Sequence, residues 1–148
     1  MIERIFDVLS HLLNKLTLKK DFKIYEKLIY DEWRESLSET NKIILDKQYA
    51  SIEFIQRGSG GARMVCHYSK KETPVFLSDQ LNKDSIVAMS VMVPKIGDKK
   101  TKLTAKIWVY KGKFFNIDFS ERPDWYIKRN NINENDLMIE SFKSVVNL

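Results

Sequence analysis

The chain has 148 residues, 25 Lys/Arg against 20 Asp/Glu, a formal net charge of +5 and a single cysteine. This length suits one domain, and 43% hydrophobic with 30% charged residues excludes a disordered chain, a coiled-coil rod and a collagen-like chain. Cys66 alone cannot form an intramolecular disulfide, so a disulfide-built secreted scaffold is excluded and a reducing, cytoplasmic setting is expected.

The N-terminal segment is helical by its spacing. Ile2, Ile5, Phe6, Leu9, Leu12, Leu13 and Leu16 recur on one face, with Glu3, Arg4, Asp7, Ser10 and Lys15 mostly opposite. Such a stripe is expected to pack on a core, although it also suits a membrane surface or a partner. No apolar run approaches the ~20 residues of a membrane-spanning helix, and Met1-Ile2-Glu3-Arg4 lacks the basic start of a secretory leader. Neither a span nor a leader is expected. A second helix is expected from Asp21, as N-cap, towards Ser36, burying Phe22, Tyr25, Leu28, Ile29, Trp33 and Leu37. Ser38 or Thr40 caps a third through Ile43, Ile44 and Leu45, ending near Gln48.

The texture then changes. Residues 50–57 and 62–68 read as strands joined by Gly58-Ser59-Gly60-Gly61, a hairpin signal. That glycine run lacks the Gly-Lys-Ser/Thr of a phosphate loop and leads into strand residues, so it reads as a turn. Residues 85–93 are apolar on both faces, as in a strand buried on both sides. Residues 102–110 and 114–119 alternate. A three-residue loop, Lys111-Gly112-Lys113, pairs Val109 with Phe115, Ile107 with Ile117, Ala105 with Phe119 and Lys106 with Asp118. This register predicts an outer surface of Lys102, Lys106, Trp108, Tyr110, Phe114 and Asn116. Residues 125–129 form a short irregular or helical piece, an asparagine-rich loop follows, and residues 137–147 read as a strand. Helices followed by an antiparallel meander predict an α+β fold: a helical part over 1–48 packed on a curved antiparallel β-sheet of about five or six strands over 49–148.

Charge singles out the same hairpin. Residues 1–48 hold nine basic and nine acidic side chains, so the whole excess lies beyond them, and residues 95–113 hold seven lysines against Asp98 alone. No catalytic set emerges. Cys66 and His67 are strand neighbours that point to opposite faces, which argues against both a nucleophile–base dyad and a shared metal. With His11 they are the only Cys or His residues, too few for a structural zinc site. Glu32 and Glu35, or Glu134 and Asp136, read as solvated acids. No enzyme, metal or cofactor is expected.

The order Leu45-x-x-Gln48, Phe54-Ile55-Gln56-Arg57, a glycine turn, then Ile107-Trp108-Val109-Tyr110-x-Gly112-x-Phe114-Phe115-Asn116-Ile117-Asp118-Phe119 before Pro123 resembles small bacterial immunity proteins of polymorphic toxin systems, including the SMI1/KNR4-like kind, over residues 37–123. The resemblance implies a cytoplasmic, non-enzymatic binder of a protein partner. This chain is basic, whereas immunity proteins against basic nucleases are often acidic, so the implied partner surface is acidic.

The residues and the resemblance together give a non-catalytic protein binder, a toxin-neutralising immunity protein acting by occlusion. Its partner-binding residues are Lys102, Lys106, Trp108, Tyr110 and Phe114, with Lys111 and Lys113 at the rim, because exposed aromatics among cations anchor protein interfaces. Two other readings stay open. The same face suits a nucleic-acid module, though its cations are almost all lysine. A pocket between helices and sheet, with Trp125, Tyr126 and Arg129 at its mouth, suits a small ligand.

Overall fold

The computed structural model describes residues 2–17, 20–69 and 72–148. Three helices come first: α1 (Ile2–Thr17), α2 (Ile24–Glu35) and α3 (Glu39–Ala50). Six strands follow: β1 (Ile52–Gly58), β2 (Arg63–Tyr68), β3 (Asp84–Pro94), β4 (Leu103–Tyr110), β5 (Lys113–Phe119) and β6 (Leu137–Ser144), with α4 (Pro123–Arg129) before the last. They form one open antiparallel sheet in the order β1-β2-β5-β4-β3-β6. The expected α+β architecture and strand number are therefore present.

The helices form for local reasons. Ser38 Oγ accepts the Asn41 N–H at 3.3 Å and caps α3. Lys23, rather than Asp21, is the N-cap of α2, and the Glu26 carboxylate reaches back to the Lys23 N–H at 2.7 Å. Pro123 opens α4, where its missing N–H costs no hydrogen bond.

One face of the sheet is the core. Ile55, Met64, Cys66, Leu103, Ile107, Val109 and Ile117 pack there with Tyr25, Ile29, Trp33 and Leu45 of the helices. At its centre Phe114 meets Trp33 at 5.6 Å and Tyr30 at 5.5 Å between ring centroids. Aromatic contacts of this kind add to the area they bury.

α1 departs from expectation. It is a helix, but Ile2, Ile5, Phe6, Val8, Leu9 and Leu12 are each more than half exposed. It runs beside β1, while α2 and α3 cover the core. The side chains of Leu13 and Leu16, which complete the predicted stripe, lie outside the described residues. β3 also differs in part. A register shift between Ile86 and Ala88 buries both Val87 and Ala88, and leaves Met89 exposed on the opposite face.

The β4–β5 hairpin decides where the predicted site lies. Ala105 pairs with Phe119, Lys106 with Asp118 and Ile107 with Ile117, as the alternation predicts. Near the turn the register shifts by one: Val109 faces Phe114 and Tyr110 faces Lys113. The loop is thus two residues, Lys111 (φ 50°) and Gly112 (φ 76°), the left-handed pair of a tight hairpin. Gln48 fixes this arrangement from α3. Its buried amide accepts the Phe114 N–H at 3.0 Å and donates to the Gly112 carbonyl at 3.0 Å and the Pro74 carbonyl at 2.9 Å. Phe114 is thereby drawn into the core, and Phe115 takes the outer position.

Candidate protein-binding face

The sheet face opposite α2 and α3 carries most of the predicted residues. Pairing aligns Arg63, Asp118, Lys106, Met89 and Lys143 in one row across β2, β5, β4, β3 and β6. The adjacent row holds Val65, Asn116, Trp108 and Ile86. Lys106 is exposed and makes no ion pair among the described residues. The carboxylate it faces, Asp118, is already engaged by Arg63 Nε at 3.0 Å and Asn116 Nδ2 at 2.9 Å. That hydrogen bond holds the Arg63 guanidinium above its ordinary pKa.

Trp108 and Tyr110 are half-buried. Tyr110 packs on Phe115, ring centroids 5.3 Å apart. Two ammonium groups approach the Tyr110 ring, Lys111 at 5.3 Å and Lys83 at 5.9 Å, within cation–π range. Beside this cluster lies a cleft of about 230 Å³ lined by Arg63, Asp84, Trp108, Tyr110, Phe115 and Asn116. The buried Trp108 indole N–H has no acceptor among the described residues.

Three predicted residues sit elsewhere. Phe114 is fully buried under Trp33 and is a core residue, a correction that follows from the Gln48 clamp. Lys102 pairs with Glu140 of β6 at 2.8 Å, away from the aromatic cluster. The Lys113 ammonium lies 5.4 Å from the Tyr68 ring, while the Tyr68 hydroxyl donates to the Phe114 carbonyl. Lys106, Trp108, Tyr110 and Lys111 are brought together. Sequence reading missed Phe115, Arg63 and Lys83, which join the group only through cross-strand register and the bulge. Phe115 carries no signal distinguishing it from Phe114.

The other candidates are occupied structurally. Cys66 is buried with its sulfur 3.9 Å from Met64 Sδ, and burial pushes its thiol pKa up. His67 stacks on Phe54 at 4.4 Å and meets Gln56 Oε1 at 3.0 Å. Tyr126 is buried and donates to the Thr101 carbonyl at 2.7 Å, and Arg129 forms a two-bond pair with Glu121 at 2.7 and 2.8 Å. Trp125 is 62% exposed with the Arg122 guanidinium 5.3 Å from its ring. Among the described residues these three share no pocket, and Trp125 lines a recess with Gly60, Ala62, Glu121 and Arg122. A groove between helix and sheet runs between α2 and β6.

No described helix is long and apolar enough to cross a membrane. No protein-family model, curated protein or solved structure matches this chain.

Proposed function

We propose that this protein is a non-catalytic protein binder, of the toxin-neutralising immunity kind, which occludes its partner through the outer face of β4 and β5. The observation that carries this reading is the cluster of Trp108, Tyr110 and Phe115 beside Lys83, Lys106 and Lys111 on the face away from α2 and α3. Half-buried aromatics on a strand scaffold lose little freedom on binding, and surrounding lysines select an acidic partner surface. The Lys102 ammonium is paired with Glu140 and the Lys113 ammonium lies over the Tyr68 ring, so this reading leaves both out of the anchor.

Replacing Tyr110 by a photo-reactive phenylalanine analogue in the producing cells tests the proposal. A single protein adduct is expected. Binding of that purified protein should weaken at least tenfold in Trp108→Ala and in Lys106→Glu, because hot-spot truncations cost more than about 1.4 kcal/mol. Adducts to nucleic acid alone, or a protein whose affinity ignores both substitutions, would overturn it.

A further inference from the structure

The glycine turn between β1 and β2 holds an arginine in place. Gly60 takes a left-handed conformation, φ 64°, and a Cβ on it would overlap Arg122 Nε, Cζ and Nη2. Only glycine therefore admits the Arg122 side chain at this turn. The Arg122 guanidinium also lies 5.3 Å from the Trp125 ring, within cation–π range. These contacts position a cation without neutralising it. Among the described residues the guanidinium makes no ion pair and no hydrogen bond, and a stacked guanidinium keeps its in-plane N–H fork for a ligand.

Gly60, Ala62, Glu121, Arg122 and Trp125 line a recess of about 690 Å³. The Glu121 carboxylate is already taken by both Nη groups of Arg129, at 2.7 and 2.8 Å. Trp125 is 62% exposed, so a broad apolar surface stands beside the unpaired Arg122. The charge around it suits one class of ligand. A polyanion such as nucleic acid would meet Glu121 and Asp124, both within two residues of Arg122, and be repelled by them. A single carboxylate fits the Arg122 fork with less opposition. An aromatic or aliphatic side chain next to that carboxylate covers the open part of the Trp125 ring.

We infer that this recess binds an acidic peptide segment, one carboxylate of which pairs with Arg122 while a neighbouring apolar side chain rests on Trp125. The site uses none of Lys106, Trp108 and Tyr110. It goes beyond the outer-face proposal, and either can fail without the other.

Nitrogen-15 NMR of the full chain tests the inference through the tryptophan indole N–H signals, with Trp125→Phe and Trp108→Phe assigning two of them. The probe is the peptide acetyl-Glu-Phe-Glu-amide. The Trp125 signal should shift saturably at millimolar peptide, while the Trp108 signal stays in place. The uncharged peptide acetyl-Gln-Phe-Gln-amide should bind about tenfold more weakly, as should the acidic peptide to Arg122→Gln, an exposed position expected to melt like wild type. Arg122→Lys keeps the charge, loses the fork and should lie between the two. Three results would overturn the inference. One is a Trp125 signal that ignores the acidic peptide. Another is equal binding of the two peptides, or unchanged binding in Arg122→Gln, which would make the recess a plain apolar patch. The third is tighter binding of inorganic phosphate or of a deoxythymidine hexamer than of the acidic peptide, which would make it a phosphate or nucleic-acid site.

Discussion

Glu26→Ala tests how the helical layer is fastened to the sheet. The Glu26 carboxylate is fully buried and accepts Arg57 Nε at 2.9 Å, Arg57 Nη2 at 2.6 Å and the Lys23 N–H at 2.7 Å. It therefore joins the start of α2 to β1 while capping α2. Removing it strands an Arg57 side chain that is only 22% exposed. Breaking one side of a buried pair costs about 3–5 kcal/mol, and a lost N-terminal cap about 1 kcal/mol. The Asp21 carbonyl still accepts from Arg57 Nη2 at 2.9 Å, and solvent reaches the guanidinium edge, so the net expectation is about 3–4 kcal/mol. A domain of this size is stable by about 5–15 kcal/mol, so the loss is large. Urea unfolding followed by fluorescence should show it as a lower midpoint at unchanged slope. Glu26→Leu with Arg57→Met removes both charges together and should fall within about 2 kcal/mol of wild type, since apolar replacements of buried pairs are often neutral. A Glu26→Ala loss below about 1 kcal/mol, or a double variant no better than the single, would refute this account.

The hairpin register predicts opposite fates for neighbouring phenylalanines. Phe114→Ala should cost about 3–5 kcal/mol and Phe115→Ala under about 1 kcal/mol in the same unfolding assay, and equal losses would place the bulge wrongly. Gln48→Ala removes the acceptor of the Phe114 N–H and the Gln48 donor to the Pro74 carbonyl, while the Gly112 carbonyl keeps the Phe76 N–H at 2.9 Å; it should cost about 2–3 kcal/mol, with Gln48→Glu no rescue because a carboxylate cannot donate to those carbonyls. Gly112→Ala should lower the melting temperature measurably, because a Cβ there would lie 2.8 Å from Val75 Cβ at a φ of 76°. Burial raises the Cys66 thiol and the Tyr25, Tyr30 and Tyr68 phenols above their ordinary values. Their contribution is complete below about pH 9 and declines above it, because the unfolded chain then releases protons that the folded chain keeps. Stability should therefore fall by up to about 1.4 kcal/mol per pH unit for each such group, and alkaline denaturation curves that stay flat to pH 11 would contradict it.

Periodicity served where burial has two sides. The strands from 102 to 119 alternate because one face meets the helices and the other does not, and the same logic placed Ala105, Ile107 and Ile117 correctly. It failed wherever one buried polar group imposed a local exception. Gln48 reads as the polar end of a helix, yet its amide draws the Phe114 N–H inward and inserts the bulge. Glu26 falls on the same side of α2 as Ile29 and Trp33, and its charge tolerates burial there because Arg57 comes from a strand 31 residues away. Such pairings depend on long-range geometry, which a window of neighbouring residues does not contain. α1 shows the converse limit. A clean apolar face states that something must cover it, and is silent on what.

The candidate face follows from the same asymmetry. α2 and α3 take one side of the sheet, so the other must tolerate water or meet a partner. Much of it tolerates water by pairing charge, as Arg63 does with Asp118 and Lys102 with Glu140. Around Tyr110 the pattern is different. Lys83 and Lys111 lie over an aromatic ring, and among the described residues they make no ion pair and the Trp108 N–H has no acceptor. A surface evolved only for solubility has no need to gather three large rings on two adjacent strands, since scattered apolar residues suffice. The bulge that removes Phe114 supplies Phe115 in its place, so the contact that anchors the core also completes the outer cluster. A Gln48 variant should therefore weaken partner binding even under conditions where it remains folded, because Phe115 would no longer be held against Tyr110.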